Sequence, residues 1–156
     1  MKTIYKALLE RLSTTVPSLA WIDLDTGQID RHIDSKELAE RPPVKFPAAL
    51  ITIAIDNSRN VSNDGAWQDC NGSVVVRLVF NNAPDRTAAN VPEATREKNL
   101  KTYDLIAETY AALQGFETEN FNALERTGQR KENPRADGLF VYKIVFKTEF
   151  EDITAE

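Results

Sequence analysis

The apolar positions of the first third of the chain predict a helix followed by short strands. Residues 2–13 are apolar at helical spacing and predict an amphipathic helix, which Pro17 prevents from continuing. Residues 19–25 suit a strand, and residues 26–28 a turn. A second short strand over 29–33 would then pair back with the first strand as a hairpin.

The middle of the chain predicts two further strands separated by a polar loop. Prolines make residues 41–47 extended. Residues 48–55 are apolar on both faces, which is typical of a central strand. Residues 57–71 are polar and are predicted to be a loop, whereas residues 72–81 are rich in β-branched side chains and predict a strand.

The second predicted helix begins near residue 91. Asn90 is the expected N-cap, Pro92 suits the first turn and Glu93 completes a capping box. Gly115 is placed to end the helix in a left-handed conformation. The predicted apolar stripe consists of Leu100, Tyr103, Ile106, Ala107, Tyr110 and Leu113.

The last part of the chain predicts a long hairpin. Residues 121–131 form a polar strand, residues 132–138 the connection, and residues 139–151 a strand of strict alternation. The aromatic face of this last strand is expected to cover the helices; it carries Phe140, Tyr142, Ile144, Phe146 and Phe150.

The strands are grouped along the chain and do not alternate with helices. This order favours an α+β fold with a mostly antiparallel sheet of about five strands and two main helices packed on one face. The length of 156 residues suits a single domain spanning residues 1–156.

The composition argues against several classes of protein and of binding site. With one cysteine, Cys70, and one histidine, His32, the chain supports neither an internal disulfide nor a zinc site built on those residue types. The net charge of −5 argues against nucleic acid as the main partner. The apolar stretches are far shorter than the roughly 20 residues that cross a bilayer, and we expect a cytoplasmic protein without a membrane partner.

The carboxylates and the single His and Cys are the residues of this chain that could carry chemistry. A group of aspartates suggests either a divalent-metal site or a solvated strand face, and the second interpretation is favoured because exposed carboxylates are common. His32 has no motif partner, and the neighbouring Asp69 raises the pKa of Cys70 and does not activate the thiol. We therefore predict no catalytic, cofactor-binding or metal-binding residues. The aspartates considered are Asp23, Asp25, Asp30 and Asp34.

Two segments are candidates for a subunit or tube interface. The loop 57–71 carries Arg59 and Trp67, and Trp67 either folds back onto the core, which its size favours, or contacts a partner. A basic stretch in the C-terminal hairpin is either a solvated tip or a charged protein contact; it contains Arg126, Arg130, Lys131 and Arg135. The acidic end of the chain could complement this stretch on a neighbouring copy; its residues are Glu149, Glu151, Asp152 and Glu156.

The order of these elements carries a resemblance to a known family. An N-terminal amphipathic helix leads through the Pro-rich segment 41–47 into the buried strand 48–55. A polar loop and the strand 72–81 follow, then a helix over 91–114 and a hairpin that ends in residues 140–150. Over roughly residues 2–151 this order resembles the tail-terminator family of long-tailed phages and prophages.

The resemblance implies a structural role. Members of that family form a ring, typically a hexamer, on the head-proximal end of the tail tube. The implied partners are other copies of the chain, the tail-tube protein and the head–tail connector protein, and the implied locations are the bacterial cytoplasm during assembly and then the virion tail. Three alternatives stay open: a neck or head–tail adaptor, a small carboxylate enzyme, and a domain that binds a small molecule or a host protein.

Overall fold

A computed structural model describes residues 1–30 and 44–153. Within them, two helices and five strands form the predicted α+β fold. The helices are α1 (Lys2–Thr15) and α2 (Glu93–Leu113), and the strands are β1 (Trp21–Leu24), β2 (Ala48–Asn60), β3 (Gln68–Phe80), β4 (Glu125–Lys131) and β5 (Phe140–Asp152). The predicted features at His32 and Asp34, and part of the extended segment 41–47, lie outside the described residues.

The five strands form one sheet in the order β1-β2-β3-β5-β4. β1 runs parallel to β2, with Trp21 opposite Ala48, and every other pairing is antiparallel. The predicted hairpin of residues 19–33 is wrong where it is described, because Ile29 and Asp30 lie in a turn. β1 pairs instead with the fully buried start of β2, which gives its backbone and its apolar side chains a better-buried partner.

The predicted loop of residues 57–71 is also wrong. β2 continues to Asn60 and β3 begins at Gln68, so that only residues 61–67 connect them, and a bulge interrupts the register between Ile55 and Asn57. The polar side chains suggested a loop, but they bond to one another across the two strands: Asn71 to Asn57 (2.8 Å), Arg59 to Asp69 (3.0 Å) and Gln68 to Asn60 (2.7 Å). Cross-strand pairs of this kind stabilise a sheet without a buried face.

Both helices pack on one face of the sheet, as predicted. α1 buries Ile4, Leu8 and Leu12 there, against alternate residues of β3 and β5. The predicted aromatic face of β5 is confirmed, since Ile144, Phe146 and Phe150 are buried in this cluster, with Phe140 and Tyr142 packed against it. α2 contributes Leu105, Ile106, Ala112 and Leu113.

The ends of α2 agree only partly with the prediction. The helix begins at Glu93, and no side chain caps it, so the predicted Asn90 cap is wrong. The backbone carbonyl of Pro92 accepts the amide of Arg96 and closes the first turn. The predicted stripe is shifted, because Tyr103 and Ala107 are exposed while Leu105, Thr109 and Ala112 are buried. Gly115 has the expected positive φ of 73° just after the helix.

The opposite face of the sheet has a smaller core at one end only. Ala48, Leu50, Val79 and Val141 form it together with Ile29 and Leu139. Further along the same face, Val75 and Val145 are only partly buried. We call this partly exposed region, which runs along β2, β3, β5 and β4 toward the β2–β3 turn, the open face. Neither helix of the described residues is long and apolar enough to cross a membrane.

Candidate interaction surfaces

A cluster of ion pairs borders the small core at the start of the open face. Arg77 of β3 is its centre, with a side chain only 13% exposed. Its guanidinium donates to Asp25 (2.9 Å) and to Asp30 (2.8 Å). It also forms a bidentate contact with Glu132, in which both N–O distances are 2.9 Å. Such planar, paired contacts are the strong form of an arginine–carboxylate interaction.

The titration of this cluster follows from its hydrogen bonds. The hydrogen bond from Arg77 is the largest cause that lowers the pKa of Asp30 from 3.8 to about 2, and Arg135 adds to it. Burial on its own lowers the pKa of Arg77, but hydrogen bonds to Asp30, Glu132 and Asp25 outweigh it and raise the pKa. Asp30 and Arg77 are therefore both charged near neutral pH.

Arg135 belongs to this cluster and does not lie on an exposed basic tip. Its side chain is 7% exposed. It donates to Asp30 (2.7 Å), to Asp137 (2.9 Å) and to the carbonyl oxygen of Ile29 (2.6 Å). Arg135 was predicted as an interface residue, and in the fold its donors tie the β4–β5 connection to the turn after β1.

The same contacts show what the aspartates that suggested a metal site bind. Asp25 and Asp30 face arginines, and Asp23 accepts the amide of Leu24 at 2.8 Å. Within residues 1–30 and 44–153, no group of three or more His, Cys, Asp or Glu side chains is arranged to hold a metal ion. The described aspartates therefore act in ion pairs and in a local backbone contact, in place of the solvated face that the sequence suggested.

The basic residues of β4 are divided between the two faces of the sheet. Arg126 and Lys131 stand opposite Phe146 and Tyr142, on the side of the helices, and Arg126 lies 3.8 Å from the ring centre of Tyr110 in α2. Arg130 stands opposite Lys143 and points to the open face. The predicted basic stretch is therefore not one surface.

The far ends of β2, β3 and β5 form a three-stranded arm, which we define as residues 57–71 and 149–152. Arg59 pairs with Asp69 at 3.0 Å near its end. Trp67 is 38% exposed, so the interpretation that it folds back onto the core is wrong. Val61, also exposed, donates its amide to the carbonyl oxygen of Trp67 at 2.8 Å. The turn thus presents two apolar side chains together.

Cys70 lies on the helix side of this arm and is buried. Burial raises the pKa of its thiol, and the charges of Asp152 and Asp69 add to that increase. The predicted direction is confirmed, and the thiol is poorly suited to act as a nucleophile. A broad polar concavity of about 910 Å³ lies around the same end of the sheet, bordered by Ile4, Asn120 and Glu149.

The strand register places one further residue of the open face, Lys143, beside two arginines, and the sequence did not identify it as a candidate. Lys143 lies between Arg77 and Arg130 in one cross-strand row. The alternation of β5 placed Lys143 on its polar face, but only the pairing of three strands shows what stands on either side of it. Arg59, Trp67, Arg126, Arg130 and Lys131 stay predicted contact residues.

Comparison with known proteins gives a likeness of fold. No protein-family model and no curated protein sequence matches the chain. A solved structure that does match is a chain from the virion of a native gene transfer agent (GTA) particle. The two chains are 12% identical, with a TM-score of 0.52, and the match covers 94% of this chain and 93% of the other. The fold described above is therefore shared, over nearly its whole length, with a chain of a virion particle.

Proposed function

We propose that this chain is a structural protein of a phage or prophage virion, which forms a ring on the head-proximal end of the tail tube. The ring would end tube growth and join the tail to the head. The observation that carries the proposal is the fold shared with a chain of a gene transfer agent virion over 94% of this chain and 93% of that one. The order of elements, which resembles tail terminators, supplies the more specific role.

The proposed protein acts by binding and not by catalysis, and needs no cofactor. In support, the acidic side chains gathered after β1 are used in ion pairs with Arg77 and Arg135, an arrangement that fixes loops. The proposed partners are further copies of this chain, the tail-tube protein and the head–tail connector protein. The proposed location is the bacterial cytoplasm during assembly and then the virion tail.

The distribution of exposed features supports assembly by head-to-tail contacts. A closed ring of identical subunits needs two different surfaces on each subunit that fit each other. This chain has an arm with exposed Trp67 at one end of the sheet and the exposed strand β4 at an edge of the sheet. Loops and strand ends on a rigid sheet are suited to such contacts.

Electron microscopy with tail tubes tests the proposal directly. Purified protein would be imaged in negative stain alone and with tubes assembled from the tail-tube protein encoded in the same gene cluster. We expect rings with an open centre, or caps at one tube end with a shorter distribution of tube lengths. A variant changed on the exposed surface of α2, Lys101→Glu, serves as the control and should behave like the wild type.

The contrary result is equally specific. Protein that stays monomeric and leaves tube length unchanged would overturn the terminator role. Binding to a purified head connector in the absence of any effect on tubes would identify a neck or head–tail adaptor instead.

A further inference from the structure

One cross-strand row of the open face carries three cations side by side. Leu50 of β2, Arg77 of β3, Lys143 of β5 and Arg130 of β4 stand opposite one another in register. Carboxylates neutralise Arg77, as described above. Among residues 1–30 and 44–153, neither Lys143 nor Arg130 makes an ion pair. We call these two residues the cationic pair.

Like charges directly opposite each other on antiparallel strands are unfavourable. The repulsion between Lys143 and Arg130 therefore destabilises the isolated subunit locally, and an anionic partner would offset that repulsion. The next row toward the arm carries uncharged side chains, those of Thr52, Val75 and Val145, with Gly128 at the edge. The row after it carries Lys147, which is paired with Asp56, and Glu125 beside the small side chains of Ala54 and Ser73.

The arm carries the opposite charge on the same face. Asp69 and Glu151 stand directly opposite each other, and we call them the anionic pair. Glu149 follows one row away, and Arg59 is the one basic side chain of the arm. Arg59 compensates Asp69 at 3.0 Å, whereas Glu149 and Glu151 make no ion pair within the described part of the chain. The arm thus carries two carboxylates, those of Glu149 and Glu151, that no cation of the described residues compensates.

The two pairs cannot satisfy each other within one subunit. Lys143 and Glu151 lie on the same strand and the same face, eight residues apart, which at about 3.3 Å per residue is roughly 26 Å. That separation exceeds the screening length of about 8 Å at physiological salt. A second copy of the chain can bring the two pairs together, because this chain itself carries both the cationic pair and the anionic pair.

We propose that the acidic arm of one copy docks on the open face of the next, with the anionic pair Asp69–Glu151 against the cationic pair Lys143–Arg130. The contact joins two different patches of one sheet face, and its repetition closes a ring when the rotation from copy to copy returns to the first copy. This inference rests on the ring of the proposed function and names the surfaces that hold the ring together.

Disulfide trapping tests the contact. Two chains, each carrying Cys70→Ala to remove the buried thiol, would have Arg130→Cys in one and Glu151→Cys in the other. Mixed and oxidised, they should give at least about tenfold more heterodimer than a control mixture in which Lys101→Cys on α2 replaces Arg130→Cys. The reason is that docking raises the effective concentration of the two thiols toward the millimolar range.

Salt and a double variant sharpen the test. At about 1 M salt the screening length falls to about 3 Å, and the excess of heterodimer should disappear. A chain with both cysteines should give a ladder of products longer than a dimer. Heterodimer at the level of the control would overturn the contact, and a product that stops at a doubly linked dimer would overturn its head-to-tail form.

Charge reversal provides a second measurement that does not depend on thiols. Arg130→Glu should abolish rings or caps in electron micrographs, and Arg130→Glu combined with Glu151→Arg should restore them. Rings that persist in Arg130→Glu would overturn this contact while leaving the proposed function standing. Trapping that succeeds for protein with no effect on tail tubes would support the contact and overturn the terminator role.

Discussion

Arg77 and Arg130 stand in the same cross-strand row but in opposite electrostatic surroundings. Arg77 lies in a central strand beside the small core, is 13% exposed, and contacts Asp25, Asp30 and Glu132. Arg130 lies on the edge strand and is exposed, with Lys143 as its neighbour. A buried guanidinium is tolerated only when carboxylates compensate it, whereas water does this for an exposed one. One row of the sheet thus contains an arginine compensated by carboxylates and an arginine that makes no ion pair within residues 1–30 and 44–153.

The largest expected effect separates these two arginines by stability. Arg77→Met should lower the free energy of unfolding by about 3 kcal/mol, because it leaves the carboxylates of Asp25 and Glu132 without their cation. Urea unfolding followed by circular dichroism measures the loss. Arg130→Met is the matched control and should change stability by less than about 0.5 kcal/mol. Equal losses in the two variants would show that the ion pairs of Arg77 add nothing to the stability of the fold.

The second prediction concerns geometry at constant charge. Arg135→Lys should lower stability by about 1–2 kcal/mol, because an ammonium cannot reach Asp30, Asp137 and the Ile29 carbonyl oxygen at once. The control, Arg130→Lys, alters an arginine with no ion pair among the described residues and should be nearly neutral. The same unfolding measurement applies, and an unchanged midpoint for Arg135→Lys would mean that charge alone holds the loop.

The third prediction is a dependence on pH. The pKa of Asp30 is lowered from 3.8 to about 2 in the folded chain. The contribution of Asp30 is therefore fully present above its unfolded pKa and is lost as the pH falls through about 2. After allowance for the partial exposure of Asp30, that contribution is about 1 kcal/mol.

The difference in stability between wild type and Arg77→Met includes this contribution. It should be constant near pH 5 and shrink as the pH approaches 2. A difference that grows on acidification would contradict the assignment of Arg77 as the main cause of the shift.

The smallest expected effect has the opposite sign. In dilute monomer at low salt, Arg130→Glu should stabilise the fold by about 0.3 kcal/mol, because it replaces the repulsion by Lys143 with attraction. This corresponds to a rise of about 1 °C in the thermal midpoint, which calorimetry can resolve. Arg77→Glu should destabilise strongly in the same assay. A fall in the midpoint for Arg130→Glu would show that a partner within the chain already neutralises Arg130.

Periodic segments were predicted correctly because burial imposes their pattern directly. The spacing of Ile4, Leu8 and Leu12 gave α1, and the alternation of β5 gave both the strand and the face that covers the helices. The end of α2 at Gly115 followed from a local need for positive φ. In each case the residues that decide the structure are neighbours in sequence.

The errors occurred where partners are distant in sequence. The segment 57–71 looked like a loop because its strands pair through polar side chains and not through a buried face. Trp67 was expected on the core, but it lies exposed at the β2–β3 turn, at the end of the arm. No local pattern predicts the contact between Arg135 and Asp30, because the two residues lie 105 residues apart in the sequence.

Local residue patterns were enough to predict the α+β class, the presence of both helices, the aromatic face of β5 and a Cys70 thiol that is not activated. Each of these depends on composition or on periods of a few residues, which short-range sterics and burial enforce. Tertiary structure alone decided which arginines are compensated and which face partners, because strand register sets that choice. A shift of one residue in register would move Lys143 and Arg130 to opposite faces of the sheet and remove the row on which the proposed contact rests.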